Sequence, residues 1–113
     1  MKLPLNIDLT GKVAVITGAG GVLCSMFAKA LAQSGAKVAL LDLNLEAAQK
    51  FADEITAEGY EAKAYKANVL DKEELEKVHT QVVLDLGRCD ILINGAGGNS
   101  PKATTQNEYY FPG

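Results

Sequence analysis

The sequence predicts an α/β protein: a doubly wound parallel sheet, cut off after its fourth strand, with strand order 3-2-1-4. Three observations lead there. Strand-like and helix-like stretches alternate along the chain without interruption. The best strand-like stretches are unbroken apolar, β-branched runs, as in strands covered on both faces. The first of them runs into a cluster of glycines that at once opens a helix. Such alternation requires parallel pairing through right-handed crossovers.

The elements follow in order. Lys12-Val13-Ala14-Val15-Ile16-Thr17, bounded by Gly11 and Gly18, reads as the first buried strand. From Val22 the apolar residues Val22, Leu23, Met26, Phe27, Ala30 and Leu31 recur at helical spacing, and Gly35 is placed to end that helix. Val38-Ala39-Leu40-Leu41 is the second strand and ends at Asp42. Asn44 is placed to cap a second helix with an inner stripe of Ala47 or Ala48, Phe51 and Ile55, closed by Gly59. Residues 61–67 form a weaker third strand, with Ala62, Ala64 and Tyr65 among lysines. Asp71 followed by Glu74 predicts a capping box opening a third helix on Leu75, Val78, Val82 and Leu86, closed by Gly87. Asp90-Ile91-Leu92-Ile93-Asn94 is the fourth strand, and Gly95-Ala96-Gly97-Gly98 breaks it. Residues 99–113 read as a polar loop and tail, leaving a core of about residues 10–98.

Composition narrows the function classes. A chain of 113 residues with 48% apolar, 22% charged and 6% aromatic content fits one small globular domain. The formal net charge of -3 and sequence pI near 5.1 argue against nucleic acid, which needs a concentrated basic face. No stretch is apolar enough for a signal peptide or a membrane span, so a cytoplasmic protein is expected. In that compartment Cys24 and Cys89 are expected as reduced packing residues. A thiol at a helix start is sometimes reactive, but a small buried filler is the better account of Cys24. His79, among Leu75, Val78 and Val82, is expected to be a packing or boundary histidine.

The strongest chemical signal is Thr17-Gly18-Ala19-Gly20-Gly21, between the first strand and the first helix. Glycines there admit unusual backbone angles and close approach of a pyrophosphate, while the helix start adds unpaired N–H groups and a positive dipole end. A tight turn without a ligand would share the glycines; the flanking strand and helix favour the phosphate site. Asp42 is the second signal, about 20 residues beyond the glycines, where a dinucleotide fold places an acid. Its carboxylate would accept from the adenine ribose hydroxyls and repel the extra phosphate of NADP. No Arg or Lys stands next to it. NAD is therefore the expected cofactor, the alternative being a turn or capping role in Asp42-Leu43-Asn44.

These residues resemble the short-chain dehydrogenase/reductase family. Thr17-Gly18-Ala19-Gly20-Gly21-Val22-Leu23-Cys24 resembles its Thr-Gly-x-x-x-Gly-x-Gly cofactor turn, and Asn94-Gly95-Ala96-Gly97 its Asn-Asn-Ala-Gly motif. Asn68-Val69 resembles the family's Asp-Val pair, which contacts adenine. The likeness spans residues 7–98 in register. It implies a Rossmann-type NAD(P)-binding domain in which Gly18, Gly20, Gly21, Val22, Leu23, Asp42, Asn68, Val69, Asn94, Ala96 and Gly97 line the cofactor. Val22 and Cys24 stand where the family usually has its second and third glycines, so their side chains are expected to press on the cofactor or on the helix–strand contact, unless the extra glycine at Gly20 or Gly21 shifts the turn. Gly95 replaces the second Asn of its motif.

The turn, Asn94-Gly95-Ala96-Gly97-Gly98-Asn99 and Pro101-Lys102-Ala103-Thr104-Thr105 are most similar to a branch often named D-mannonate (fructuronate) oxidoreductases, with gluconate 5-dehydrogenase-like enzymes nearby. That implies a small-molecule substrate, a sugar acid, and a homo-oligomeric full-length protein. Ser100 and Lys102 lie on the loop that would face such an anion, although an ordinary solvated loop explains them better.

The family's proton-transfer machinery, a Tyr with a Lys four positions later, is not found within the 113 residues. The fourth positions after Tyr60, Tyr65 and Tyr109 are Ala64, Val69 and Gly113, and Tyr110 has too few residues after it. The expectation is an NAD-dependent oxidoreductase represented by its cofactor-binding half, inactive by itself. The alternatives are a catalytically silent NAD-binding module and an inactive truncated product; a sugar-nucleotide epimerase suits the Asn94-Gly95-Ala96-Gly97 element poorly. Ending at the fourth strand should leave that strand as an open edge and the isolated chain marginally stable and prone to associate.

Overall fold

The computed structural model describes residues 8–95. The β-branched run after Gly11 forms β1 (Val13–Thr17), in which every residue is buried. Then follow α1 (Val22–Gln33), β2 (Lys37–Asp42), α2 (Leu45–Ala57), β3 (Ala62–Lys66), α3 (Lys72–Asp85) and β4 (Ile91–Asn94). All strand pairs are parallel, in the order β3-β2-β1-β4. The register sets Ile16 against Leu40 on one side and Ile93 on the other, and Leu41 against Tyr65.

Alternate residues of the central strands point to opposite faces, and each face has its own cover. Ala14, Ile16, Val38 and Leu40 pack beneath α1 and α2, against Ala28, Leu31, Ala48, Ala52 and Ile55. Val13, Val15, Ala39 and Leu41 pack beneath α3, against Leu75, Val78, Val82 and Leu86. This is the distribution that right-handed crossovers demand. Cys89 joins the α3 side as a half-buried packing residue. The thiols of Cys24 and Cys89 are both free.

The predicted helix boundaries hold, with one correction in how α3 is capped. Gly35, Gly59 and Gly87 each stand two residues past a helix end with left-handed φ. At Gly35 a side chain is also sterically barred, since a Cβ would lie 2.9 Å from Thr10 Oγ1. Asn44 Oδ1 accepts from Ala47 N–H at 3.2 Å and caps α2. Asp71 Oδ1 accepts from Glu74 N–H at 3.2 Å, which is half of the expected capping box. The reciprocal half is not made: Glu74 Oε1 accepts from Asn68 N–H at 3.0 Å, while Asp71 N–H donates to the Asn68 carbonyl. The inner stripe of α2 is Ala48, Ala52 and Ile55, with Phe51 only half-buried.

The outer strands differ from the central pair. β3 closes one edge, and its Lys63 and Lys66 are exposed, as edge strands commonly are. On the other side β4 is the last strand among the described residues, and Leu92 is 39% exposed. Its entry is pinned by Asp90, whose N–H donates to the Val13 carbonyl at 2.8 Å. The Asp90 carboxylate in turn accepts from Val13 N–H at 2.9 Å.

Candidate functional site at the carboxyl ends of the strands

All four strands deliver their carboxyl ends to the same edge of the sheet, and connections reverse direction between β1 and β4. In open α/β sheets that switch point is where a crevice opens for a ligand. Thr17, Asp42, Asn68 and Asn94, each from a motif singled out in the sequence, lie at this edge.

The glycine turn is built against β2. Gly18 adopts a left-handed φ of 67°, which turns the chain off β1. Ala19, fully buried, donates its N–H to the Leu41 carbonyl at 3.1 Å. Gly20 N–H donates to Asp42 Oδ2 at 2.8 Å. A Cβ on Gly20 would lie 2.9 Å from both Asp42 Oδ2 and Ala47 Cβ, so this glycine is required for contact with β2 and α2. Gly21 N–H donates back to the Gly18 carbonyl, and Gly21 is the N-cap of α1 without any side-chain cap. The first backbone bond of α1 runs from Ser25 N–H to the Gly21 carbonyl at 3.0 Å. The N–H groups of Val22, Leu23 and Cys24 therefore precede the helical ladder and form its positive end.

Val22 and Cys24, at the usual glycine positions, stand in different surroundings. Val22 is 72% and Leu23 61% exposed, so neither intrudes on the helix–strand contact. Cys24 turns inward and packs against the α1–α2 core. Burial, with the Asp42 charge adding to it, pushes its thiol above the ordinary cysteine range. This is the packing role expected for it, not an activated nucleophile.

Asp42 closes β2 with its carboxylate half-buried. Oδ2 accepts from Gly20 N–H, and Oδ1 accepts from Asn44 N–H at 2.8 Å. The ligand-binding and turn-forming readings of Asp42 are thus not exclusive. Each oxygen keeps a lone pair for a further donor, and the turn bonds hold the carboxylate in one orientation. Asn68 follows the same logic after β3. Its Oδ1 accepts from Leu70 N–H at 3.0 Å, and its own N–H is held by Glu74. Val69 is half-buried against the α3-side core. Leu43 and Leu70, 61% and 78% exposed, put apolar surface beside Asp42 and Asn68.

At the β4 end, Thr17 Oγ1 donates to Asn94 Oδ1 at 2.8 Å. Gly95 N–H reaches both the Thr17 carbonyl and Thr17 Oγ1 at 3.1 Å. Thr17 therefore ties the glycine turn to the Asn94 motif, a role that sequence reasoning missed. The signal was a hydroxyl residue closing β1 in register with Asn94. Glu74 was missed as the partner of Asn68 because its spacing matched a capping box. Ala96 and Gly97, predicted site residues, lie outside the described residues, as do Ser100 and Lys102. Among the described residues no group of three or more His, Cys, Asp or Glu is placed to hold a metal. No described helix is long and apolar enough to cross a membrane. His79 is half-buried in α3, remote in the chain from the site motifs.

A parallel sheet in this order, with a glycine turn feeding an uncapped helix at its switch point, defines the N-terminal half of a Rossmann-type fold. The chain belongs to the short-chain dehydrogenase family, whose profile it matches over residues 12–110. It is 58% identical over 110 residues to an uncharacterized oxidoreductase of Haemophilus influenzae, an alignment covering 97% of this chain and 39% of that protein. It is 49% identical over 108 residues to the uncharacterized oxidoreductase UxuB of Bacillus subtilis, covering 96% of this chain and 39% of that one. A crystal structure of a Haemophilus influenzae oxidoreductase, provisionally named for D-mannonate and carrying bound NAD, superposes with a TM-score of 0.81 at 60% identity. It covers 93% of this chain and 38% of that chain. The chain thus spans about 39% of the length of the curated relatives it matches.

Proposed function

We propose that the chain is the NAD-binding part of a short-chain dehydrogenase acting on an alcohol or ketone, with a sugar acid of the D-mannonate/fructuronate type as substrate. The observation that carries this reading is the Asp42 carboxylate, held at the carboxyl end of β2 by Gly20 and Asn44 N–H groups with lone pairs left over. The residues present fit a dinucleotide. Gly18, Gly20 and Gly21 bring bare backbone to the start of α1, where the N–H groups of Val22, Leu23 and Cys24 face a pyrophosphate. Asp42 accepts from the adenine ribose hydroxyls, and its charge disfavours a 2′-phosphate, so NAD is preferred to NADP. Asn68 and Val69 bound the adenine, with Leu43 and Leu70 adding exposed apolar surface. By the family resemblance, Asn94, Ala96 and Gly97 also belong to the cofactor-binding residues.

Bound there, NAD supplies a hydride acceptor and NADH a hydride donor. The residues of this chain bind and orient. No Tyr-x-x-x-Lys lies within it, so proton transfer belongs to the part of the protein corresponding to the rest of the relatives' length. The sugar-acid assignment rests on similarity to the provisionally named D-mannonate oxidoreductase. The test is calorimetric titration of the intact protein with NADH and NADPH, then a substrate screen over aldonates and their keto forms. NADH binding at least about tenfold tighter is expected; tighter binding of NADPH would overturn the Asp42 assignment.

A further inference from the structure

Two departures from the family pattern meet in space. Cys24 stands where the family usually has a glycine, and Gly95 where it usually has an asparagine. A Cβ built on Gly95 would collide with Cys24 Sγ, while Cys24 Cβ would lie 3.7 Å away, an ordinary contact. The thiol therefore fills the volume that a side chain at position 95 would need. The same built Cβ would lie 2.9 Å from the Thr17 carbonyl, the group that Gly95 N–H bonds. Residue 95 is thus confined between the end of β1 and the first turn of α1.

We infer that Cys24 and Gly95 form a matched steric pair. In it Cys24 acts as a positioning residue that sets how closely the end of β4 approaches the glycine turn, and so the width of the cleft at the switch point. A side chain at 95 pushes the Asn94–Gly95 segment off Thr17, breaking the bonds from Thr17 Oγ1 to Asn94 and from Gly95 N–H to Thr17. The sulfur makes the closer of two collisions, the Thr17 carbonyl the lesser one. Trimming residue 24 to alanine removes the closer one, whereas serine keeps an atom at the γ position.

The test is a substitution cycle in the intact protein: Gly95→Ala, Cys24→Ala, the Cys24→Ala/Gly95→Ala double variant and the Cys24→Ser/Gly95→Ala double variant. Two readouts are taken, the Tm and the NADH dissociation constant. Gly95→Ala is expected to lower the Tm by about 5 °C or more. It should also weaken NADH binding roughly tenfold, by displacing the strand end. Cys24→Ala should recover more than about half of both losses, short of all because of the Thr17 carbonyl, while Cys24→Ser should not. If Gly95→Ala is insoluble, recovery of soluble protein by Cys24→Ala but not Cys24→Ser is the expected result. A harmless Gly95→Ala, no recovery, or equal recovery with serine overturns the pair. The NADH readout rests on the proposed function and the thermal one does not. A wild-type protein that fails to bind NADH would refute that function and leave the thermal cycle to decide the pairing.

Discussion

Asp42→Asn separates the two duties assigned to this carboxylate, and its cost follows from the hydrogen bonds. Both Asp42 oxygens accept from backbone donors, Gly20 N–H and Asn44 N–H, each at 2.8 Å. An asparagine offers one oxygen and one NH₂, so in either rotamer a donor faces a donor. One charge-assisted bond is lost and the other becomes neutral. Such a bond contributes roughly 1.5–3 kcal/mol, and the half-exposed setting calls for the lower part of that range. Expected is a loss of about 1–2 kcal/mol, seen in the intact protein as a Tm lower by about 2–8 °C. For the cofactor, the ribose hydroxyls lose a charged acceptor and a 2′-phosphate loses its repulsion. NADH affinity should fall about 10- to 100-fold, and the preference over NADPH should shrink by a comparable factor. Differential scanning fluorimetry and paired NADH and NADPH titrations read both effects. If the Tm falls but the NADH:NADPH ratio stays at its wild-type value, Asp42 only builds the turn and the cofactor assignment is refuted.

Glu74→Ala should remove the acceptor of Asn68 N–H while leaving the Asp71 cap of α3 in place, costing about 1 kcal/mol in a denaturant titration. No change in midpoint would show that water replaces this bond. Tyr65→Phe should flatten the alkaline side of the stability profile. Burial, followed by the bond and charge of Asp85, raises the Tyr65 phenol well above its ordinary value. A raised pKa stabilises the folded state below the unfolded tyrosine value, and that contribution is lost as pH rises beyond it, from roughly pH 10 upward. Wild type should therefore lose more stability there than Tyr65→Phe; parallel profiles would refute the account. Asp85, held below the ordinary carboxylate range chiefly by the Tyr65 hydroxyl, contributes in the opposite window. Its share is present above the ordinary aspartate value and lost as pH falls below it.

Local pattern was enough for much of the architecture. Unbroken apolar runs such as Val13–Thr17 are strands covered on two faces, because alternate side chains leave on opposite sides. Asn44, Asp71 and the glycines after each helix act on neighbours a few residues away, so caps and stops are readable from spacing. The hand of crossovers then dictates the sheet order and which helices share a face. The glycine turn and Asp42 were legible for a related reason: a phosphate-binding loop needs bare backbone in consecutive positions.

What the sequence by itself determined, then, is the succession of elements, the strand order and the motifs brought to the carboxyl edge. Only the tertiary structure decided which side chains meet across that edge. Asp42 bonds Gly20, Glu74 reaches Asn68 instead of completing its capping box, Thr17 ties β1 to Asn94, and Cys24 occupies the space beside Gly95. The physical reason is range. Helix caps and strand periodicity are set by neighbours along the chain, whereas hydrogen bonds and steric exclusion between distant residues depend on where the sheet register carries them.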